Sequence, residues 1–556
     1  MAIQKIIGSL SITDCLIFFV LIFITYIFNF YHKYLTRPNP LPGPLPLPFI
    51  GNLHNIAYDL KLFYDNCRSN YGDICEIMFD GRRCIILSRP EYIEKFMSQT
   101  FFAKLPYFQG LDEIGIYGHA IAFNVDENSW KYNKHFFTQA LLPPRVIDTF
   151  VKSTNKLFEE LSGYWKSLGN QNSSNNNNDN WILEIDFSRW FHAFTNDFIS
   201  MVATGERTYS IASYYNVQSS VKSEHPDALV EDGDKFVRAI LKYVESLRFF
   251  MFIGSFMRHY VPIIKNVANS YLKNRDVLYE KFDHIIRKRR KEIEEMPMVT
   301  EMKVDILTSL IIANTEKDTA NVKTLGDETV KPMVDEEIRC NLIEAIAAGT
   351  DTTANIICYI NYCLCKHPNV KQKMISEIDS VFSKSPNKCY LESDDLSKLK
   401  YCKAIIKEAY RLFPVLSFVS RYIKEEYEVA GYKWAAGTLF HLNITGVHRH
   451  PDVWPNPEIF DPDRFYNSDK VDKSENKYSL IIFGGGSRLC PGRKLAMREV
   501  LLLMALVYRY YNVELVNVHE PLKIVSSTTN NLQNLKHADQ NHSHYIIISN
   551  SIKHII

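Results

Sequence analysis

Phe483-Gly484-Gly485-Gly486-Ser487-Arg488-Leu489-Cys490-Pro491-Gly492 is the stretch on which the reading of this chain turns. Three consecutive glycines suggest a phosphate-cradling loop. However, no Lys-Ser or Lys-Thr pair follows at the required spacing, and no GxGxxG opens the next helix. The glycines instead allow tight turns and let the backbone approach something flat and bulky. Cys490 stands immediately before a helical pattern over Arg493–Tyr508. A thiolate there is stabilised by helix N-terminal amides and by Arg488. Such a sulfur can act as a nucleophile or as a metal ligand, and the spacing leaves both open.

Upstream, Glu408-Ala409-Tyr410-Arg411 lies in a helical run, where i and i+3 share a face and the carboxylate and guanidinium can pair. Pro462-Asp463-Arg464-Phe465 follows about fifty residues later. Ala348-Gly349-Thr350-Asp351-Thr352-Thr353 places glycine and β-branched residues inside a long helical pattern, which is locally unfavourable. Trp130-Lys131-Tyr132-Asn133-Lys134 puts an indole and a cation one helical turn apart.

The cysteine loop fits F-x-x-G-x-R-x-C-x-G at Phe483, Gly486, Arg488, Cys490 and Gly492, and so resembles the haem-binding signature of the cytochromes P450. The other motifs occur in that family's order. The resemblance implies a mainly α fold with a small β region. It implies Cys490 as axial thiolate to a haem b iron, pushing electron density towards O–O cleavage. Glu408, Arg411 and Arg464 would form a buried structural triad, with Asp463 replacing the commoner Glu. Gly349 would let oxygen approach the backbone. Thr352, bonding back to the preceding turn, would hold an oxygen-linked water, while Asp351 would feed protons from outside. Trp130 and Lys134 resemble W-x-x-x-R, whose members contact a haem propionate; Lys134 keeps the charge without the bidentate fork. Arg488, with Arg421 as a third cation, would share that contact. His448-Arg449-His450-Pro451 resembles an HRDP stretch and is assigned no chemistry.

The N-terminus carries the apolar run CLIFFVLIFITYIFNFY (Cys15–Tyr31), roughly the length that crosses a bilayer core as a helix. Lys33 and Arg37 favour a cytosolic C-terminal side, and bulky residues rather than a cleavage site follow, so residues 1–36 are expected to be an uncleaved anchor. Residues 37–52 are proline-rich and expected to be a stiff spacer, and residues 53–556 one catalytic domain. Gln171–Asn180 (QNSSNNNNDN) reads as a disordered loop. The net charge of +1 argues against nucleic acid as a partner, and eleven cysteines without framework spacing suit a reducing compartment. Strand patterns are expected at Ile74–Phe79, Arg83–Leu87, Glu426–Val429, Thr438–Asn443 and Tyr545–Ser549, and helices at Phe282–Glu294 and Asp335–Tyr362.

Together these imply a monooxygenase on the cytosolic side of the endoplasmic reticulum membrane. It would insert one atom of O₂ into a lipophilic substrate with electrons from an NADPH-dependent diflavin reductase, since the chain has no flavin or nicotinamide fingerprint. Arg488, Arg493, Lys494 and Arg498 would dock that partner. The substrate wall would come from Phe101–Phe123, Val237–Phe256, Val415–Val419 and Ser526–Gln533. Three other readings remain open: a haem-thiolate isomerase or dehydratase, against which the Asp351–Thr352 pair argues; a non-catalytic haem sensor or carrier; and a membrane scaffold with a vestigial fold, against which the filled chemical positions argue.

Overall fold

Helices carry most of the chain, and their order along it is set by where apolar faces can be buried. The computed structural model describes residues 11–56, 59–79, 81–97, 107–141, 144–172, 181–297, 305–313, 315–316, 324–325, 328–329, 331–383, 390–466, 478–522, 524–526, 529–532 and 545–550. The elements that matter for the site are α1 (Ile12–Leu35), α2 (Glu127–Leu141), α3 (Phe187–Thr204), α4 (Gly233–Phe252), α5 (Pro262–Glu295), α6 (Asp335–Lys366), α7 (Lys400–Leu412) and α8 (Arg493–Tyr510). Of the Asn-rich tract, Gln171 and Asn172 close a helix (Pro144–Asn172) rather than opening a loop, and the remainder lies outside the described residues.

α6 is the axis of the core. Asp335, Glu336 and Glu337 in its first turn suit the positive end of the helix dipole. Glycine and threonines at 349–353 do not break it, because α3 packs along that stretch. α3 is itself buried on nearly every face, capped by Asp186 accepting from the Arg189 N–H at 3.1 Å and ended by Gly205 at φ +66°. A helix so apolar and so enclosed is held by packing, not by its own propensity.

The β part is small. β1 (Ile74–Phe79) and β2 (Arg82–Leu87) form an antiparallel hairpin turned at Gly81, φ +69°. With β3 (Ile182–Asp186), β4 (Phe418–Tyr422), β5 (Leu439–Asn443), β6 (Tyr511–Leu515) and β7 (Tyr545–Asn550), two sheets result. One has the order β1-β2-β5-β4, with β2 parallel to β5; the other, β6-β7-β3, is antiparallel throughout. β5 is buried at every position, as a central strand must be.

The proline segment departs from the expected spacer. Leu41 is buried, the Glu76 N–H donates to the Pro42 carbonyl at 3.0 Å, and a Cβ on Gly43 would lie 2.1 Å from the Glu76 oxygen. Glu76, almost wholly buried, is ion-paired with Arg37 and Arg83. The segment is thus laid along β1 and the packed unit begins near Leu41, because a chain without donors can still offer carbonyls to a strand edge. α1 stands apart: no residue of it is buried, and its mean hydropathy of 2.1 over 18 residues meets the length and composition needed to cross a membrane. Its Tyr26 stacks on Phe49 at 4.3 Å.

Candidate active site

The cysteine loop is closed on itself by the Cys490 N–H donating to the Phe483 carbonyl at 3.0 Å. Gly484 (φ +75°) and Gly486 (φ +63°) take left-handed conformations, and Gly486–Arg488 forms a single 3₁₀ turn. A Cβ on Gly485 would sit 2.9 Å from Met97 Cβ, so that glycine seats the loop against its neighbour. The sulfur-bearing residue is half-buried just before α8, and the Phe483 ring lies 5.9 Å from Tyr410 of α7.

Trp130 on α2 gathers two cations: Lys134 Nζ and the Arg488 guanidinium each lie 4.6 Å from its ring centroid. Arg488 donates to the carbonyls of Ile121 (2.8 Å) and Asn124, and Lys134 to that of Ser487. Arg421 on β4 donates to the carbonyls of Phe96 (3.3 Å) and Ser420 (2.8 Å). Burial pushes Arg421 down to about 10, and burial with the charge of Arg421 pushes Arg488 down to about 9. Lys134 is lowered by burial and then by Arg488. Three desolvated cations thus disfavour their own charged state. Arg488 is turned inward, so it does not belong to the docking surface expected of it; Arg493, Lys494 and Arg498 remain at least partly exposed, with Lys403 near Arg498.

Glu408, Arg411 and Arg464 come together, with Arg464 half-buried where a fully buried triad was expected. Arg411 donates twice to Glu408, at 2.8 Å each, and both side chains have no exposure. Arg464 Nε lies 3.5 Å from Glu408 Oε1, and the Asp461 N–H donates to the same oxygen at 2.9 Å. Arg411 also donates to the carbonyls of His448, Pro457 and Ile459. His448, given no role from sequence, links this group to the cysteine loop: its Nε2 accepts from the Ile481 N–H at 2.8 Å. Burial, aided by Arg411, pushes His448 down to about 3, so it is a neutral acceptor. The HRDP-like spacing was the only available signal, and it says nothing of tertiary partners.

On α6 the buried surface is interrupted at Ala348, which is exposed, and at half-buried Gly349 and Thr352. These positions (i, i+1, i+4) form one window. Thr352 Oγ1 donates to the Ala348 carbonyl at 2.7 Å, as expected. Two expectations need correcting. A Cβ on Gly349 would lie 2.5 Å from Ile199 Cγ1, so glycine there admits close packing of α3 rather than oxygen. Asp351 is 1% exposed and points to the α3 side, bonded by Thr529, Asn355 (3.0 Å) and His192 (3.4 Å), so it does not itself face solvent among the described residues. Of the expected substrate wall, residues 101–106, 527, 528 and 533 lie outside the described residues.

These residues fit a haem: an apolar disc with an iron that takes a thiolate and two carboxylates on one edge. Cys490 would supply the soft ligand, and the Lys134, Arg488 and Arg421 cluster is short of the anionic charge that such an edge would bring.

Residues 41–537 match the sequence model of the family described as Cytochrome P450. The chain belongs to the cytochrome P450 family. Relatives of this P450 include (+)-vincadifformine 19-hydroxylase of Catharanthus roseus, 26% identical with 85% of this chain and 87% of that one aligned. Cytochrome P450 3A12 of Canis lupus familiaris is also 26% identical, over 92% of each chain. In fold it is similar to the cytochrome P450DA heme domain (TM-score 0.70, 20% identity, 92% and 98% of the chains). It is likewise similar to the retinoic acid bound cyanobacterial CYP120A1 (TM-score 0.69, 19% identity, 92% and 99%). This P450 is an oxidoreductase of the monooxygenase class, dependent on haem iron, O₂ and a redox partner.

Proposed function

We propose that this P450 inserts one atom of O₂ into a lipophilic small molecule, using electrons from NADPH passed by a separate diflavin reductase. The observation that carries the reading is the closed loop that presents Cys490 beside a cluster of buried cations. Bound haem b supplies the centre at which O₂ is bound and cleaved. Cys490 would be its thiolate ligand, with Phe483 at the start of the same loop, and Trp130, Lys134, Arg421 and Arg488 would hold its carboxylates. Thr352, fixed through Ala348, would hold a water in the α6 window. The Arg493, Lys494, Arg498 and Lys403 surface suits an acidic reductase. Two relatives carry names of a hydroxylase and an oxygenase, in keeping with this reaction.

α1 would cross the endoplasmic reticulum membrane once, as residues 1–36, with Lys33 and Arg37 placing the catalytic domain in the cytosol. Asn443, a sequon residue, is buried and bonded to Ser88, so it carries no glycan.

Reduced protein with CO is expected to show the red-shifted Soret band of thiolate ligation, and Cys490→Ser to lose it; retention in the variant would remove the reading. With a confirmed substrate and reductase, Thr352→Ala should keep consuming NADPH while product falls and hydrogen peroxide rises. Unchanged product per NADPH would mean that another group holds the water.

A further inference from the structure

From Cys340 to Asn361 of α6 only Glu344, Ala348, Gly349 and Thr352 are not fully buried. Glu344, Ala348 and Thr352 stand at i, i+4 and i+8, so the carboxylate lies on the window face, about two turns before Thr352. Glu344 belongs to none of the motifs read above. Its Oε2 accepts from two consecutive backbone amides, Ile121 at 3.0 Å and Ala122 at 2.7 Å. The carbonyl of Ile121 in turn accepts from Arg488 at 2.8 Å. The peptide unit joining Ile121 to Ala122 is therefore gripped at both ends: its N–H by a carboxylate of α6, its C=O by the guanidinium of the cysteine loop. Bonds to such groups are stronger than their neutral counterparts. The residue just before them is strained. Ala120 is wholly buried with φ +56°, a left-handed conformation that residues with a Cβ rarely take and that persists only where neighbours hold it. Asn124 Nδ2 donates to the Ala120 carbonyl at 3.2 Å, and the Gly118 N–H to the Phe123 carbonyl at 3.3 Å. They close a loop on which Ile121, Ala122 and Phe123 are half-buried.

We propose that Glu344 is a positioning residue that sets the room beside the α6 window: it holds the apolar wall Ile121–Phe123 in place and so decides how bulky a substrate this P450 admits. The proposal rests on the reading of that window as the place where substrate meets the haem. Apolar contact is non-directional, so the three wall side chains do not by themselves fix the loop. Two N–H groups converging on one oxygen do, because both must point at it. Upstream the same segment has other holds: Tyr279 of α5 donates to the Ile114 carbonyl at 2.6 Å, and Cys340 of α6 to that of Gly115 at 3.3 Å. Glu344 and Arg488 hold its downstream half. Without the carboxylate, two half-buried amides lose their acceptor and the strained Ala120 loses a support. The loop then relaxes towards water, which can take those hydrogens, and the room at the window widens. Glu344 touches no reacting atom in this scheme; it acts through the loop.

The test uses the full haem-loaded chain in its ferric state and two nitrogen ligands titrated by the Soret shift, compact imidazole and bulky 1-tritylimidazole. In Glu344→Ala, amide hydrogen exchange in peptides covering residues 117–124 should quicken about ten-fold or more. The ratio of the two Kd values should move several-fold in favour of the bulky ligand. Glu344→Gln, whose amide oxygen still accepts from both N–H groups, should reverse most of both effects. If Glu344→Ala loads no haem, Glu344→Asp carries the same comparison, since it keeps the charge but withdraws the oxygen by one methylene. Unchanged exchange at residues 117–124 would overturn the clamp. Quickened exchange with an unmoved or reversed Kd ratio would show that the clamp does not set the room. Imidazole giving no Soret shift in the wild type would remove the window reading beneath the proposal. Neither readout needs turnover, so absence of reductase-dependent product would count against the proposed function alone.

Discussion

Arg411 has no solvent exposure, and its charge is tolerated because Glu408 meets it with both oxygens and three carbonyls take the remaining hydrogens. Glu408→Ala would leave that guanidinium buried with its counter-charge gone. A loss of about 3–5 kcal/mol is expected, read as a lower denaturation midpoint with little haem-loaded protein; normal stability would mean that the pair is not the keystone of this region. Gly349 is a second residue whose role is steric. Gly349→Ala drives a methyl into Ile199 and should cost about 1–3 kcal/mol. Adding Ile199→Ala should then cost less than that change costs alone, and strict additivity of the two in thermal unfolding would refute the clash. The i, i+3 pairing of Glu408 and Arg411 was legible because it is local geometry. The fate of Gly349 was not, since it depends on a residue 150 positions away.

α1 touches the proline segment through Tyr26 on Phe49 and Tyr31 on the Pro46 carbonyl, and that segment is tied to β1 by Arg37 and Glu76. Removing residues 2–36 should reduce membrane association in fractionation and leave haem binding intact, because the packed unit starts near Leu41. Beyond α1, Phe250 and Phe252 face inward, whereas Phe256, Tyr260 and Ile263 are each at least 70% exposed. Asp substitutions at Phe256 and Ile263 in the truncated protein should therefore release what membrane binding remains. If the truncated protein stays as firmly bound as the whole, α1 is not the anchor. The sequence told helix from strand well here. Ile74–Phe79 is a strand with the expected bounds, and the helix expected over Asp335–Tyr362 runs to Lys366, because periodicity is carried by consecutive residues. Which face of α4 and its following turn meets the core was not carried in that way.

Across the whole molecule, acid should be destabilising through two buried histidines, one on β5 and one on the short helix that follows it. His441 of β5 and His448 are both buried, and burial pushes each down to about 3 from an ordinary 6.5. Between those values the unfolded chain takes up a proton at each and the folded chain does not. Stability is therefore complete above about pH 6.5 and falls as pH drops, by about 1.4 kcal/mol per pH unit for each histidine. His441→Gln should flatten the dependence of the denaturation midpoint between pH 6 and pH 4 by about that amount. An identical slope would mean that His441 is protonated in the folded state.

The amino-acid order was sufficient for the reaction class, for the closed loop around Cys490 and for the mainly helical fold with its few strands. Those properties reside in short runs whose spacing fixes local geometry: ten residues around Cys490, four at Glu408–Arg411, and the 3.6-residue repeat of α6. Folding settled the rest. It turned Asp351 from a solvent-facing acid into a sealed partner of His192, gave Gly349 a packing duty, bound the proline segment to β1, and set His448 beneath the cysteine loop. Each of these is a relation between residues far apart in the chain, and burial, charge compensation and hydrogen-bond direction arise only when such residues meet.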